Sequence, residues 1–313
     1  MKRRLLELLI CPACLPEEKP LRGSIAGADG DDIVTGRLTC PGCGAEYPVE
    51  DGVGVLLPPA SSRANATRRR YETEAVVSSY LWSHFGDLFG DPEAGRAYAA
   101  WSGLVPGGHG LGLDAGCAVG RFAFEVSPRC DFVVGLDTSA TFVRLARKLM
   151  IEGSVTFPLI MEGRLTEPRT IVRAEGWRPE NAEFIVGDAL ALPFPHDAFS
   201  MLASLNLIDK LPKPLRHLQE MNRVAKGKGA FFLFSDPFSW SEESAGVEDW
   251  LGGKGGGRFG GEGIRNVRRL LEGEEGITGP PWQIRDEGRV SWMIRNHRNH
   301  YEMIRSEFLV STR

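Results

Sequence analysis

Three short apolar runs in the middle of the chain each end in an aspartate. The first ends at Asp114, the second at Asp137 and the third at Asp188. Apolar runs of this length, bounded by turn residues, are typical of buried β-strands. A helical segment follows each of the first two runs, and the second helix begins at the capping residues Thr138 and Ser139. Strands that alternate with helices form a parallel sheet. The three aspartates are therefore expected at its carboxyl edge, where such sheets bind ligands.

Two further apolar runs extend this pattern over 199–206 and 229–235, with a helix predicted between them over 211–226. The chain has 313 residues, of which 42% are hydrophobic, so it is long enough for one large domain and a small one. The segment over 151–181 is too long for a simple connection and predicts a decorated loop or an extra hairpin. The sequence thus predicts an α/β fold with a doubly wound, mostly parallel sheet.

Two CxxC pairs precede this sheet, Cys11-Pro-Ala-Cys14 and Cys40-Pro-Gly-Cys43. Each two-residue gap forms a tight turn that directs both thiolates to one point, and four thiolates complete the tetrahedral site that structural Zn²⁺ prefers. A metal with four protein ligands has no open position, so its predicted role is in folding. A redox pair is the alternative. Cysteines used as metal ligands also favour a reducing, cytoplasmic location.

The turn after the first run reads Asp114-Ala-Gly-Cys-Ala-Val-Gly120. A dinucleotide-binding fingerprint would place glycines at 116, 118 and 121, but residues 118 and 121 are alanine and arginine. The spacing Asp-x-Gly-x-x-x-Gly instead resembles the first motif of class I S-adenosylmethionine-dependent methyltransferases. A strand-to-helix turn that binds no ligand is the alternative.

The methyltransferase resemblance implies a seven-stranded sheet with a cofactor site along its carboxyl edge. The turn at Gly116 and Cys117 would contact the amino-acid end of the cofactor, and Asp188 the adenine amino group. Asp137 follows Asp114 by 23 residues, so its carboxylate is placed to accept both ribose hydroxyl protons. The predicted cofactor-binding residues are Asp114, Ala115, Gly116, Cys117, Gly120, Asp137, Thr138, Asp188, Ala189 and Asn206.

Roughly residues 75–313 also resemble a narrower family, whose characteristic segments follow one another in the same order. The segments 206–211, 236–240, 250–253 and 294–301 are similar to the C-terminal methyltransferase domain of ovothiol synthases, which methylates a ring nitrogen of a thiol-bearing histidine. This chain has Asp236-Pro237-Phe238 where that family tends to have Ser-Pro-Tyr. We therefore expect a small polar or heteroaromatic, histidine-like acceptor and not thiol-histidine itself.

The same segments supply the candidate catalytic groups. Their carboxylates and imidazoles would receive or orient a proton, the arginine would clamp a carboxylate, and the tyrosine would stack on a ring or on the sulfonium. As alternatives, the aspartate before Pro237 caps a turn, and 295–300 is a solvated hairpin surface. The candidate catalytic residues are Asp209, Asp236, His297, His300, Arg295 and Tyr301.

The N-terminal module over 5–57 resembles the small zinc-ribbon protein that partners eukaryotic transfer-RNA and protein methyltransferases, and also the ribbon of bacterial ribosomal-RNA guanine methyltransferases. This resemblance is compatible with a protein partner bound through the ribbon. We expect a zinc ribbon over 1–60, a linker and N-terminal helices that form part of a lid over 61–105, and the methyltransferase domain over 106–313. The glycine-rich stretch 251–263 predicts a mobile lid segment or a surface loop.

Net charge and hydropathy restrict the kinds of partner that the chain is expected to bind. A formal net charge of −4 and a pI near 6.0 favour a small-molecule substrate over nucleic acid. No stretch approaches the ~18–20 apolar residues that cross a membrane. An RNA methyltransferase is the first alternative function, because of the ribbon and the Arg68-Arg69-Arg70 triplet. A non-catalytic adaptor with a degenerate methyltransferase fold is the second.

Overall fold

A computed structural model of the chain describes residues 1–59, 71–276 and 278–313. In this described part, eleven strands form one sheet and two more form a separate hairpin. The strands of the sheet are β1 Arg22–Asp29, β2 Asp32–Thr39, β3 Glu46–Glu50, β4 Val53–Leu56, β5 His109–Ala115, β6 Cys130–Asp137, β9 Ala182–Gly187, β10 Met201–Leu205, β11 Phe231–Asp236, β12 Gln283–His297 and β13 His300–Thr312; the hairpin is β7 Ser154–Glu162 and β8 Leu165–Val172. The α-helices are α1 Arg3–Leu6, α2 Glu74–Phe85, α3 Arg96–Gly103, α4 Arg121–Val126, α5 Ala140–Glu152, α6 Pro214–Val224 and α7 Gly263–Leu271.

Seven strands form the predicted central sheet, in the order β9-β6-β5-β10-β11-β13-β12. The first five run parallel, and β13 is antiparallel to both of its neighbours. Because successive side chains of a strand point to opposite faces, Val133 and Val134 of β6 belong to two different core clusters. The helices α2 to α5 pack on one face, and α6 and α7 pack on the other. The predicted α/β fold with a mostly parallel sheet is confirmed.

The strands of the N-terminal module extend this sheet. The strand β4 runs parallel to β9 and pairs Val55 with Val186 and Leu56 with Gly187. The strands β1 to β4 then continue outward as an antiparallel meander. Leu5 and Tyr47 of the module are buried in the same core cluster as Ile185 of β9. The module and the central sheet therefore share one hydrophobic core.

Local sequence explains where the elements begin. The first helix after the glycine turn starts at Arg121, because Ala118 and Gly120 adopt positive φ angles of 47° and 85° that no α-helix allows. The next helix begins after Ser139, whose hydroxyl accepts a hydrogen bond from the backbone N–H of Phe142 at 3.2 Å. The long connection over 151–181 contains the β7–β8 hairpin, the second of the two structures predicted for it.

Among the described residues, no helix is both long enough and apolar enough to cross a membrane.

Candidate functional site

A cavity of about 560 Å³ opens at the carboxyl ends of β5, β6, β9 and β10. Three kinds of residue line it: polar residues of the predicted cofactor edge, aromatic rings, and residues of loops at its mouth. The first group includes Asp114, Gly116, Cys117, Asp137, Thr138, Asp188 and Asn206, the second Tyr71, Tyr80, His84, Tyr98, Phe122, Phe142 and Trp292, and the third Leu57, Lys210, Glu243 and Ser244.

The glycine turn shapes one side of the cavity. Gly116 has a φ of 79°, and a Cβ there would lie 2.9 Å from the side chain of Leu207. Gly120 has a φ of 85°, and a Cβ there would lie 2.5 Å from the ring of Phe184. Both positions thus require glycine, since an L side chain would be strained and would collide with its neighbour. The two glycines thus let the turn pack against Leu207 and Phe184, and Gly116 lies in the cavity wall.

Asp137 is fixed by that turn. Its Oδ2 accepts a hydrogen bond from the backbone N–H of Ala118 at 3.0 Å, and its Oδ1 accepts one from that of Ser139 at 2.8 Å. Burial raises the pKa of the Asp137 carboxyl, and these N–H donors act against the rise. Each oxygen keeps a second lone pair, so the carboxylate can still accept two hydroxyl protons.

Asp114 lies beside it at the end of β5. The side chain is 2% exposed, and its Oδ2 has no hydrogen-bond partner among the described residues. Burial raises the pKa of Asp114 to about 7, and the nearby Asp137 adds to the rise. A buried carboxyl oxygen without a partner is costly, so it marks a place where a bound ligand can donate a hydrogen bond.

Asp188 and Asn206 complete the polar edge. The Oδ1 of Asp188 accepts a hydrogen bond from the backbone N–H of Leu190 at 2.8 Å. Asn206 has a φ of 54°, and its side-chain oxygen accepts a hydrogen bond from the hydroxyl of Ser306 at 2.6 Å. The remaining predicted cofactor residues, Ala115, Gly120 and Ala189, do not line the cavity. All ten assignments stay predictions.

Four of the aromatic lining residues, which we call the aromatic wall, lie on α2, α3 and β12. Tyr80 and His84 lie one turn apart on α2, Tyr98 lies on α3, and Trp292 lies on β12. The ring centroids of His84 and Tyr98 lie 4.2 Å apart, and the Nε2 of His84 lies 2.6 Å from the hydroxyl oxygen of Tyr98. The sequence analysis predicted helices that form part of a lid over 61–105, but it singled out none of these rings and missed His84. Its spacing of four from Tyr80, on one helix face, was the available signal.

The predicted catalytic carboxylates lie behind the cavity wall. Asp236 is fully buried, and its two oxygens accept hydrogen bonds from the backbone N–H groups of Ile208 and Phe238 at 3.0 and 2.7 Å. The Oδ2 of Asp209 accepts hydrogen bonds from the Lys210 ammonium and the Ser239 backbone N–H, both at 2.9 Å. Burial raises the pKa of both carboxyl groups. The pair therefore ties the loop after β10 to the loop after β11, and neither residue lines the cavity.

The other four catalytic candidates lie at the far end of the β12–β13 hairpin. Arg295 donates hydrogen bonds to the backbone oxygen of Ile160 at 3.0 Å and to the Tyr301 hydroxyl at 3.3 Å. The rings of His297 and His300 meet edge to face at the hairpin turn, with centroids 5.6 Å apart. None of the four lines the cavity, and neither does the glycine-rich stretch 251–263. Their catalytic roles stay predictions without geometric support.

The Arg68–Arg70 triplet lies outside the described residues.

The four cysteines of the CxxC pairs converge. Their Sγ atoms all lie within 4.8 Å of one another, with 3.7 Å between Cys11 and Cys43 and 3.6 Å between Cys14 and Cys40. Four sulfurs at about 2.3 Å from a tetrahedral Zn²⁺ lie about 3.8 Å apart. The backbone N–H of Gly42 donates to the Cys40 sulfur at 3.4 Å, a contact that supports a thiolate. The donor set and its spacing fit a structural zinc ion.

Comparisons with known families match one segment of the N-terminal module and one segment of the central domain. Residues 113–233 match the family described as a methyltransferase domain, and residues 2–52 match the family described as Trm112p-like protein. The chain carries a class I S-adenosylmethionine-dependent methyltransferase domain. The predictions of a methyltransferase and of a ribbon related to a methyltransferase partner are thereby confirmed. The resemblance of the methyltransferase domain to ovothiol synthases stays a prediction.

Individual relatives of the methyltransferase domain are distant. Ajmaline N-methyltransferase of Rauvolfia serpentina is 27% identical over 124 residues, which are 39% of this chain and 35% of that enzyme, so the match spans about a third of the relative. A solved complex of the Haloferax volcanii Trm112 methyltransferase activator with a methyltransferase is 13% identical, with a TM-score of 0.47 over 80% of this chain and 99% of that chain. The N-methyltransferase NodS of Bradyrhizobium japonicum, solved with S-adenosyl-L-homocysteine, is 12% identical, with a TM-score of 0.46 over 79% and 98%. At TM-scores below 0.5, neither structural likeness bears on what this chain binds.

Proposed function

We propose that this cavity binds S-adenosylmethionine and that the chain methylates a small polar or heteroaromatic acceptor there. One observation carries the proposal. A single cavity joins the carboxylates predicted to hold the cofactor to a wall of aromatic rings with polar atoms among them. Its volume of about 560 Å³ lies in the range of small-molecule sites.

The polar edge supplies the cofactor contacts in this proposal. Asp137 accepts the ribose hydroxyl protons, Asp188 the adenine amino protons, and the turn at Gly116 lies against the amino-acid end. When bound, S-adenosylmethionine supplies a methyl group already activated by the sulfonium charge. The protein then has to orient the acceptor, exclude water and handle a proton.

The aromatic wall supplies the acceptor contacts. Tyr80, Tyr98 and Trp292 supply rigid rings against which a planar acceptor can pack. Lys210 is the one lysine or arginine among the described residues that line the cavity, and it forms an ion pair with Asp209 at 2.9 Å. RNA recognition relies on basic side chains that contact phosphate, so this wall favours a small acceptor over RNA.

We further propose that the four-cysteine cluster holds a structural Zn²⁺ through Cys11, Cys14, Cys40 and Cys43. A metal with four protein ligands stabilises the ribbon, and the ribbon in turn covers the edge of the central sheet at β9. Binding of a separate protein partner would use the outer surface of the ribbon.

Methyl transfer to defined acceptors tests the function. Zinc-loaded protein is incubated with S-adenosylmethionine carrying a ¹³C-methyl group and with panels of small imidazoles, thiols and amino acids. Parallel reactions contain transfer-RNA and ribosomal-RNA transcripts. We expect labelled small molecules, and no label in the same reactions with Asp137→Ala. Labelled RNA with unlabelled small molecules would replace this proposal with the RNA methyltransferase alternative.

A further inference from the structure

Lys210 is the one lysine or arginine among the described residues of the cavity wall. Four acidic side chains line the same cavity: Asp114, Asp137, Asp188 and Glu243. An anionic group of a ligand is therefore disfavoured along most of the wall and attracted at one point. The single lysine thus determines where in the cavity an anion can bind.

The backbone around Lys210 is held on two sides. Lys210 ends a short 3₁₀ turn that begins at Ile208, in the loop after β10. The Asp236 carboxylate joins this turn to β11, because it accepts a hydrogen bond from the backbone N–H of Ile208 at 3.0 Å. The Lys213 ammonium joins the same loop to the loop after β11 through an ion pair with Asp249 at 2.6 Å. The position of the lysine is therefore fixed by contacts on both loops.

The ammonium of Lys210 is fixed as well, and part of it stays accessible. Its Nζ lies 2.9 Å from the Oδ2 of Asp209, which also accepts a hydrogen bond from the backbone N–H of Ser239 at 2.9 Å. The Asp209 side chain is buried and does not line the cavity, whereas the Lys210 side chain is 40% exposed and does. An ammonium has three N–H donors, and the ion pair uses one of them. The other two can bind a ligand in the cavity.

The ion pair is better explained by the placement of the ammonium than by stability. Removal of a carboxylate from water offsets most of the attraction in such a pair, so its net contribution to stability is small. The Oδ1 of Asp209 also lacks a hydrogen-bond partner among the described residues, and this adds to the cost. The pair does, however, hold the Lys210 ammonium in the cavity wall. A donor that is held in place loses less conformational freedom when a ligand binds.

The strand order places Lys210 on the acceptor side of the proposed site. The proposed cofactor contacts Asp137 and Asp188 lie at the ends of β6 and β9, on one side of β5. Lys210 follows β10, on the other side of β5, and Trp292 of the aromatic wall lies further in the same direction on β12. A group that reaches Lys210 therefore belongs to the acceptor in the proposed arrangement.

We propose that Lys210 is a specificity-determining residue that binds a carboxylate of the methyl acceptor. This inference rests on the proposed function and narrows its substrate class to small heteroaromatic acceptors that carry a carboxylate. The ring packs against the aromatic wall, and the carboxylate accepts charge-assisted hydrogen bonds from the ammonium. The sequence predicted a carboxylate clamp at Arg295, which does not line the cavity. The proposal moves that role to Lys210.

Lys213 provides a matched control. It lies in the same loop, and its ammonium is also paired with an aspartate, Asp249. Its side chain is 62% exposed but does not line the cavity. The two lysines thus share their charge and their kind of partner, and they differ in access to the cavity.

Binding of matched probes measures the contact without turnover. Zinc-loaded protein saturated with S-adenosyl-L-homocysteine is titrated, with NMR detection, with imidazole-4-propionate and its amide and with indole-3-acetate and its amide. We expect the carboxylate of at least one pair to bind about 10- to 100-fold more tightly than its amide, as is typical of a hydrogen bond between charged groups. This preference should decrease as the salt concentration rises, because the lysine is partly exposed.

Three variants assign the preference to a residue. Lys210→Gln keeps a hydrogen-bond donor for Asp209 and removes the positive charge. It should weaken binding of the preferred carboxylate about tenfold or more and leave the affinity for the amide within about twofold. Lys210→Arg should retain a preference for the carboxylate, and Lys213→Gln should retain all of it. The melting temperature and the affinity for S-adenosylmethionine show whether each variant keeps its fold and its cofactor site.

Several outcomes would overturn the inference. The wild type alone does so if it binds acid and amide equally in both pairs, or if it binds neither carboxylate. A Lys210→Gln variant that keeps the preference also does so. The same holds if this variant loses affinity for S-adenosylmethionine instead, since Lys210 would then contact the cofactor. All these results leave the proposed function standing if the wild type binds S-adenosylmethionine, whereas absence of that binding refutes the proposed function itself.

Discussion

The four-cysteine cluster and the cavity are held together by different means. The cluster takes all four ligands from two turns within residues 11–43, and its sulfurs converge because each turn is tight. The cavity takes its wall from strands of the central sheet, from α2 and α3, and from β12 near the other end of the sheet. A metal can stabilise the first region locally, whereas the second depends on the packing of the whole sheet.

The two regions nevertheless meet at β9. The ribbon strand β4 pairs with β9, and Leu57, which follows β4, lines the cavity near Asp188. Arg147 of α5 joins the same regions, because it forms ion pairs with Glu183 of β9 and Asp32 of β2. We therefore predict that substitutions in the ribbon also affect the cavity. The effect of a substitution should decrease from the zinc ligands to the cavity wall.

Loss of the metal should have the largest effect. Cys11→Ser removes a fully buried ligand, so the ribbon should lose its zinc and the free energy of unfolding of the whole chain should fall by more than about 5 kcal/mol. Calorimetric melting with zinc analysis measures both. The control Cys130→Ser changes a buried thiol outside the cluster and should retain one zinc per chain. Two separate melting transitions, with the second unchanged, would show that the ribbon and the central sheet are independent.

Breaking the ion pair network should rank second. Arg147→Met leaves Glu183, which is 0% exposed, without its cationic partner, and this should cost about 3–5 kcal/mol in urea denaturation. The adjacent Lys148→Met removes only an exposed pair with Glu152 at 3.8 Å and should cost less than about 0.5 kcal/mol. Equal effects of the two variants would contradict a bridging role for Arg147.

The pKa of Asp114 predicts a pH-dependent effect of intermediate size. Because its folded-state pKa is raised to about 7, the folded protein holds a proton that the unfolded chain has released, and stability is lost as the pH rises from the unfolded pKa towards 7. Asp114→Asn removes this loss. The variant should gain on the order of 3 kcal/mol relative to wild type between pH 4 and about pH 8, measured by urea denaturation without cofactor. Asp131→Asn, which changes an exposed aspartate, is the matched control variant.

The contact between the ribbon and the cavity should give the smallest effect. Leu57→Ala removes apolar surface from the cavity wall and should weaken S-adenosylmethionine binding about 3- to 10-fold in calorimetry. Val55→Ala, on β4 but outside the cavity wall, should leave that affinity unchanged. If neither variant changes the affinity, the ribbon does not contribute to the cofactor site.

The same contrast explains what the sequence could predict. The cysteine pairs and the strands that end at Asp114, Asp137 and Asp188 are local patterns, so the cluster, the α/β sheet and the polar edge could be inferred from spacing. The aromatic wall is assembled by tertiary packing, which places Trp292 of β12 against residues of α2 and α3. Such long-range contacts leave no mark in local spacing.

The predicted catalytic residues show most clearly which features local sequence could not predict. Asp209 lies just after β10 and Asp236 is the last residue of β11, at the sheet edge where ligands bind. Both carboxylates accept hydrogen bonds from backbone N–H groups, however, and neither lines the cavity. His297 and His300 lie at the turn of the β12–β13 hairpin, and neither lines the cavity. The sequence identified residue types suited to proton transfer, but only the backbone path determines which of them reach the cavity.

The central claim is that this cavity is an S-adenosylmethionine site, and calorimetric titration of the folded, zinc-loaded protein tests it most directly. We predict micromolar binding to the wild type and to Asp131→Ala, on the same strand, and a loss of at least about a hundredfold in Asp137→Ala, because each hydrogen bond to a charged group contributes about 1.5–3 kcal/mol. Absence of binding to well-folded wild-type protein would contradict the claim and leave the chain as a non-catalytic adaptor.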